Sequence, residues 1–215
     1  MWAAELSRTN VRFIVWDMPK VSDAHRAARH EQILDAAIRC VGREGFHRTT
    51  MAHVIAESGL SAGAVYGYFK GKEDLIKAIA GRALGGFAEL LHGIAIGPGP
   101  VTPATALRAM ILEVEKLAAD SGGAFPKVVM HAWSEAARNP EILDIVGANV
   151  DQVQAAWVEV LERADADGNL PGPGDPAAMA RVMIGLMPGF VLQGLLLGKV
   201  DATTYADGFE SLTSH

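Results

Sequence analysis

The spacing of apolar residues is what most constrains this chain. Leu34, Ala37, Ile38 and Val41 recur at i, i+3, i+4 and i+7, which lines one face of a helix. Met51, Val54, Ile55 and Ser58 repeat the pattern. Gly45 separates the two runs, and Phe46 after it is expected in the core. Thr50 is placed to cap the second helix, its hydroxyl accepting from an orphan backbone N–H. Gly59 stands where a helix end needs a left-handed residue, and Ser61 is placed to cap a third, short helix. Val65 and Phe69, four apart, give that helix its buried face. A long helix is predicted from Lys72.

The remainder reads as helix after helix. The predicted spans are Lys72–Ile96, Thr102–Ser121, Phe125–Asn139, Glu141–Ala166, Pro176–Lys199 and Ala202–Leu212. They are punctuated by GPGP at Gly97–Pro100, by Gly122-Gly123, by Asn139-Pro140 and by the Pro/Gly run Pro171–Pro176. No segment alternates cleanly with period two. The predicted class is therefore all-α: an N-terminal three-helix unit with a helix-turn-helix, then a larger six-helix body. The expected divisions are an extension or arm over 1–22, a head over 23–71 and a body over 72–215. Residues 1–17, with Trp2, Phe13 and Trp16, stand outside the helical pattern. Two readings stay open for them. They are a dispensable extension before a natural start at Met18, or an added element whose tryptophans pack on the body.

Length and composition narrow the function. The 215 residues are 50% hydrophobic and 20% charged, too apolar and too weakly charged for a disordered chain. Cys40 is the single cysteine, which excludes an internal disulfide and a multi-cysteine zinc site. Val182–Gly198 is uncharged over 17 residues, but Pro188, Gln193 and four glycines interrupt it. A span needs about 20 predominantly apolar residues, so a buried or interfacial helix is expected, with no membrane partner. No signal peptide is expected either, and the cytoplasm is the expected location. The net charge of −6 hides an asymmetry: residues 1–78 carry 11 Lys and Arg against 9 Asp and Glu, and the rest carry 8 against 16. A basic head on an acidic body hints at nucleic acid at one end.

The informative segment is Thr49–Leu75, TTMAHVIAESGLSAGAVYGYFKGKEDL. It reads as helix, tight glycine-bearing turn, helix, and the start of another helix, as a helix-turn-helix requires. The second helix of that motif enters the major groove, so its outward face should be small or polar. Here that face offers Ala62, Gly63, Tyr66 and Gly67, with Tyr68 near its end. A Gly-Leu-Ser turn alone is ordinary in helical bundles, and tyrosines alone are usually half-buried packing residues.

The longer pattern resembles the tetracycline-repressor (TetR) family of bacterial transcription regulators. The matching residues are Ile33, Leu34, Ala36 and Ala37, then Gly45-Phe46, Thr49-Thr50-Met51, Val54, Ala56, Gly59-Leu60-Ser61, Gly63, Tyr66, Tyr68-Phe69, Lys72-Glu73 and Leu75. They span about 50 residues at consistent spacing, and the phrase HAWSEAARNPEI at His131–Ile142 is familiar from several members. The resemblance implies a homodimer on double-stranded operator DNA. It implies that Thr50, Tyr66, Tyr68 and Lys72 contact DNA and that Ser61, Ala62 and Gly63 face the groove. Arg48, and the arm residues Arg26 and Arg29, could add phosphate or minor-groove contacts. Two positions depart from the family, Ala62 and Gly67, where basic or polar residues are common. With no Arg or Lys on the reading face, bidentate guanine contacts are scarce, and readout should rest on the tyrosines, thymine methyls and DNA shape.

For the body, the resemblance implies a ligand pocket and a dimer face built from the last two helices. The candidate lining residues are Phe87, Leu91, Met110, Val114, Phe125, Val129, Trp133, Trp157, Met183, Met187 and Phe190. Methionine and aromatic stripes usually just fill cores, so each is a candidate only. An apolar lining favours a small hydrophobic or amphipathic effector. Candidate dimer residues are Leu192, Leu195, Leu196, Tyr205 and Phe209. Pro188 inside the penultimate helix is expected to kink it.

Other classes are weaker. A di-iron bundle needs Glu-x-x-His from two helices, and the body offers Glu89–His92 alone. His131 and Glu135 are a lone i, i+4 pair. His30-Glu31 lacks the second histidine of a zinc protease, and no phosphate loop or nucleophile elbow is present. No catalytic residue, metal or cofactor is expected. A protein-interaction module with a vestigial DNA head, and an activator rather than a repressor, remain as alternatives.

Overall fold

The computed structural model describes residues 23–213, apart from positions 171, 173 and 199. The N-terminal segment, with its three aromatic residues and both readings of it, lies outside the described residues. Among those described there are nine helices and no strand. They are α1 (Asp23–Arg48), α2 (Met51–Ser58), α3 (Ala62–Tyr68), α4 (Lys72–Ile96), α5 (Pro103–Asp120), α6 (Ala124–Ala136), α7 (Pro140–Ala166), α8 (Pro176–Leu197) and α9 (Ala202–Thr213).

Local caps set most of these boundaries. The Thr50 hydroxyl accepts from His53 N at 3.3 Å, and the Ser61 hydroxyl from Ala64 N at 3.3 Å. Thr102 and Thr105 form a reciprocal capping box at α5. α7 and α8 each start with a capping side chain followed by proline: Asn139-Pro140 and Asp175-Pro176. Asn139 accounts for one difference from expectation. Its side chain accepts from Glu141 N at 3.0 Å, so it opens α7, and α6 ends earlier at Ala136. Gly45 has φ 78 and ψ 165; this breaks the helical path inside α1 and turns the chain toward Arg48.

Two apolar clusters organise the molecule. One holds the head together: Ile33, Leu34, Ala37 and Val41 of α1 meet Phe46, Val54, Val65, Phe69, Leu75 and Ile79. The other fills the body, around Leu91, Leu107, Met110, Ile111, Trp157, Val160 and Leu161. α6 belongs to both through Val128 and Phe125. It lies against α1 at close range. A methyl group placed on Gly42 would meet Ala124 Cβ at 2.8 Å and that residue's backbone at 3.0 Å. Any side chain there would force α6 to shift away from α1.

Polar ties fix the remaining relations. Glu57 of α2 accepts from Arg39 at 2.8 Å and Arg43 at 3.3 Å on α1. Gln32 Nε2 donates to Ser58 O at 2.8 Å. Arg82 of α4 pairs with Asp35 at 2.5 Å and Glu31 at 3.3 Å. α9 is held on α5 by Arg108–Asp207 and by Ala202 N donating to Glu115 at 2.9 Å.

Two stability predictions result. Gly42→Ala should destabilise the protein by about 1–3 kcal/mol, the usual cost of overpacking, seen as a lower urea midpoint. The Arg39 guanidinium, aided by Arg43, holds the Glu57 carboxyl below its ordinary value against a smaller opposing effect of burial. A depressed carboxyl contributes stability above its unfolded pKa and loses it as pH falls through the folded value. Wild type should therefore lose more stability on acidification than Glu57→Gln, by less than about 1 kcal/mol for so exposed a pair.

Candidate nucleic-acid interface and internal cavities

The head presents α3 on a supported turn. Gly59 closes α2 at φ 68. The Ser58 hydroxyl donates to Ile55 O and accepts from Leu60 N. Val65 and Phe69 are buried beneath α3, and the His30 ring lies 4.9 Å from that of Phe69. The outward face carries Ser61, Ala62, Gly63 and Gly67, all exposed, with Tyr66 at 44% exposure and Tyr68 half-buried. A methyl built at Gly63 or Gly67 meets nothing within 4 Å. Glycine in a helix costs about 0.5–1 kcal/mol relative to alanine, and no neighbour in the chain requires it at these positions.

Charge is distributed around this face. Thr50 and Arg48 are exposed at the start of α2. Lys72 donates to His47 O at 3.2 Å, which fixes the start of α4 beside the end of α1. Lys70 is exposed, with its Nζ 3.3 Å from Tyr66 O. It is a candidate that the sequence reading omitted; its only signal was a cation directly after the reading helix. Among the described residues, Arg48, Lys70 and Lys72 enter no ion pair, whereas Arg39 and Arg43 are engaged by Glu57.

The body contains an apolar cavity of about 60 Å³ between α4, α5, α6, α7 and α8. Seven of the eleven candidate residues border it: Phe87, Met110, Val114, Phe125, Val129, Trp133 and Met187. Four do not. Leu91 and Trp157 are fully buried in the solid core, and Phe190 packs edge-on against Tyr205, ring centroids 5.3 Å apart. Met183 borders a different, more polar recess of about 330 Å³, with Asn169, Met179 and Phe209. Helical periodicity marks a residue as buried; whether it meets another side chain or a void depends on the neighbouring helices. Leu84, Val150, Val153, Ile184, Pro188 and Val191 complete the wall, and nothing local in the sequence marks them for it.

α8 exposes Val182, Leu192, Leu195, Leu196 and Leu197, and α9 exposes Leu212. Tyr205 and Phe209 are turned toward their own chain instead. Tyr205 donates to Leu186 O at 2.9 Å, two residues before Pro188, and burial raises its phenol above the ordinary value. α4 and α8 are long and apolar enough to cross a membrane by length and composition alone, yet both pack against α7.

The metal candidates are engaged elsewhere. His92 Nδ1 lies 2.6 Å from Glu159, and the His131 ring faces Gly45. Among the described residues no group of three His, Cys, Asp or Glu side chains is placed to hold a metal.

Comparison with known proteins gives two family matches. Residues 33–79 match the bacterial regulatory proteins of the tetR family, and residues 103–208 match the C-terminal region of BetI-type transcriptional repressors. The chain belongs to the TetR family. An HTH-type transcriptional repressor of Mycobacterium tuberculosis is 43% identical over 63 residues, 29% of this chain and 34% of that one. This chain thus matches about a third of that curated relative's length. The regulator TtgR of Pseudomonas putida is 26% identical over 174 residues, 77% of this chain and 80% of that one. The solved complex of SmeT with triclosan superposes with a TM-score of 0.71 at 26% identity, covering 87% of this chain and 92% of that one. As a TetR-family chain, it joins a helix-turn-helix head to a helical C-terminal domain. If the α3 glycines are not there for folding, Gly63→Ala and Gly67→Ala should each raise stability by up to about 1 kcal/mol, read from thermal unfolding.

Proposed function

We propose that this chain is a ligand-responsive transcriptional regulator, a repressor that binds a palindromic operator as a homodimer and is released by a small hydrophobic effector. The observation that carries the reading is the outward face of α3, where Ala62, Gly63 and Gly67 clear a path for close approach and two tyrosines flank it. Ser61, Thr50 and Arg48 surround the face, and Lys72 stands at the start of α4. Their roles are phosphate contacts, aided by the positive end of α4. Tyr66 and Tyr68 supply base-edge or phosphate contacts. The exposed leucines clustered at the end of α8, Leu192, Leu195, Leu196 and Leu197, support self-association, since exposed apolar surface of this kind marks an interface. Two heads on a two-fold axis then meet half-sites about 34–36 Å apart.

Among the described residues, the wall of the body cavity bears no charged side chain, which favours a neutral, apolar effector. An effector that binds more tightly to a state with misplaced heads lowers operator affinity by population shift. A cytoplasmic, non-enzymatic regulator is the setting that fits these parts. The lack of Arg or Lys on α3 favours one other reading, a head that has lost DNA binding and holds a protein instead.

Selection of DNA fragments by the purified protein at two salt concentrations tests the proposal. An enriched inverted repeat is expected, with affinity falling steeply as salt rises through counterion release. No enrichment at low salt by a folded dimer would refute it and favour the protein-binding head. On the selected site, Gly63→Ala should weaken binding at least tenfold while the fold is kept. Leu196→Glu should shift the protein from dimer to monomer in sedimentation.

A further inference from the structure

The body cavity is not isolated. A second apolar void, of about 50 Å³, lies toward the head and is bordered by Phe46, Ile76, Ile79, Ala80 and Ala132 among others. Leu84, Val129 and Trp133 border both voids. These three side chains are the partition between them.

The partition is made of groups that can turn. Leu84 and Val129 are half-buried, and Trp133 is 40% exposed although it walls both voids. A side chain with one face in water has fewer packing contacts to lose when it changes rotamer. Among the described residues, neither void is bordered by a charged side chain, and the Trp133 indole is the only N–H or O–H side-chain donor on either wall. Each void alone is far smaller than the ~300–1,000 Å³ typical of pockets that hold drug-sized ligands. Two adjoining narrow apolar spaces suit a thin, flexible molecule better than a compact ring system.

We propose that the two voids are halves of one binding site for an unbranched alkyl chain, joined when Trp133 turns aside. The proposal rests on the body cavity being the effector site and adds the ligand's shape and reach. It also supplies a route to the DNA-binding head. The far half ends on Phe46 near the end of α1 and on Ile76 and Ile79 of α4, all three of which belong to the head cluster. A chain long enough to enter it must displace atoms on which the helix-turn-helix rests. A shorter one fills the body cavity alone.

Calorimetric titration of the full chain with hexanol, octanol, decanol and dodecanol tests this. Affinity should rise about fourfold per added methylene, the increment for a buried CH₂, through the whole series. In Ala132→Leu and Ala80→Leu, which fill only the far half, hexanol should bind as in wild type and the rise should stop at a shorter chain. Wild type alone gives a second measure: decanol should bind at least tenfold more tightly than the cage alcohol adamantanol, which has the same number of carbons. A rise that stops early in wild type, a full rise kept in folded forms of either variant, or equal binding of decanol and adamantanol would overturn the joined site. Failure of every alcohol to bind would overturn the effector cavity as well.

Discussion

The approach of α6 to α1 is the constraint on which the rest of the structure depends. It is set by Gly42, where a single added methyl would collide with the backbone of Ala124. α6 is only 13 residues long and has two occupied faces. Ala124, Val128 and Ala132 pack toward the head cluster, and Phe125, Val129 and Trp133 border the body cavity. A short helix wedged between two packed regions cannot be displaced on one side without a response on the other, because interiors at close-packed density have little slack. Arg82, which joins α4 to Asp35 and Glu31 of α1, gives a second tie across the same junction.

What the sequence revealed follows from how local each determinant is. Thr50, Ser61, Gly59, Asn139-Pro140 and Asp175-Pro176 act within a few residues, through a capping hydroxyl, amide or carboxylate oxygen, a left-handed backbone or a fixed φ. The head and most helix boundaries were legible for that reason. Gly42 was not, since a glycine within an apolar helical repeat looks the same whether it is tolerated or required. The cavity was legible only in part. Phe87, Val129 and Trp133 border it, yet Leu91 and Trp157 belong to the same periodic pattern and are solidly packed. Only the arrangement of five helices decides which apolar side chain meets empty space.

α8 shows how one sequence feature can serve several needs. Its apolar content exceeds what one core requires: Ala180, Met183, Phe190 and Val191 are buried, while Leu195, Leu196 and Leu197 remain in solvent. Pro188 cannot donate to the carbonyl one turn earlier. Nearby, the Tyr205 hydroxyl occupies the Leu186 carbonyl and Phe190 packs on the Tyr205 ring. The interrupted part of α8 is thus braced by α9, and α9 is itself braced by α5 through Arg108 and Glu115. Pro188 and Met187 also border the body cavity. The cavity wall, Pro188 and the exposed leucines therefore lie on one continuous helix, so a change in the cavity has a direct path to that exposed surface.

The placement of charge in the head bears on how it could discriminate among DNA sequences. Arg39 and Arg43 are committed to Glu57, and their role is to fix α2 on α1. Among the described residues, Arg48, Lys70 and Lys72 stand outside ion pairs and lie at the ends of helices around α3 rather than on it. Cations so placed meet phosphates, which position a protein without reading bases. Readout is left to a surface of methyl groups, bare backbone and two phenols. Such a surface distinguishes thymine methyls and groove shape more readily than guanine edges. On the proposed dimeric reading, affinity would be sensitive to the spacing of the two heads, since few strong base contacts would hold either head in register. On the proposed reading, a small displacement of α1 and α4 would release such a regulator, and the junction beneath Phe46, Ile76 and Leu84 is where it would begin.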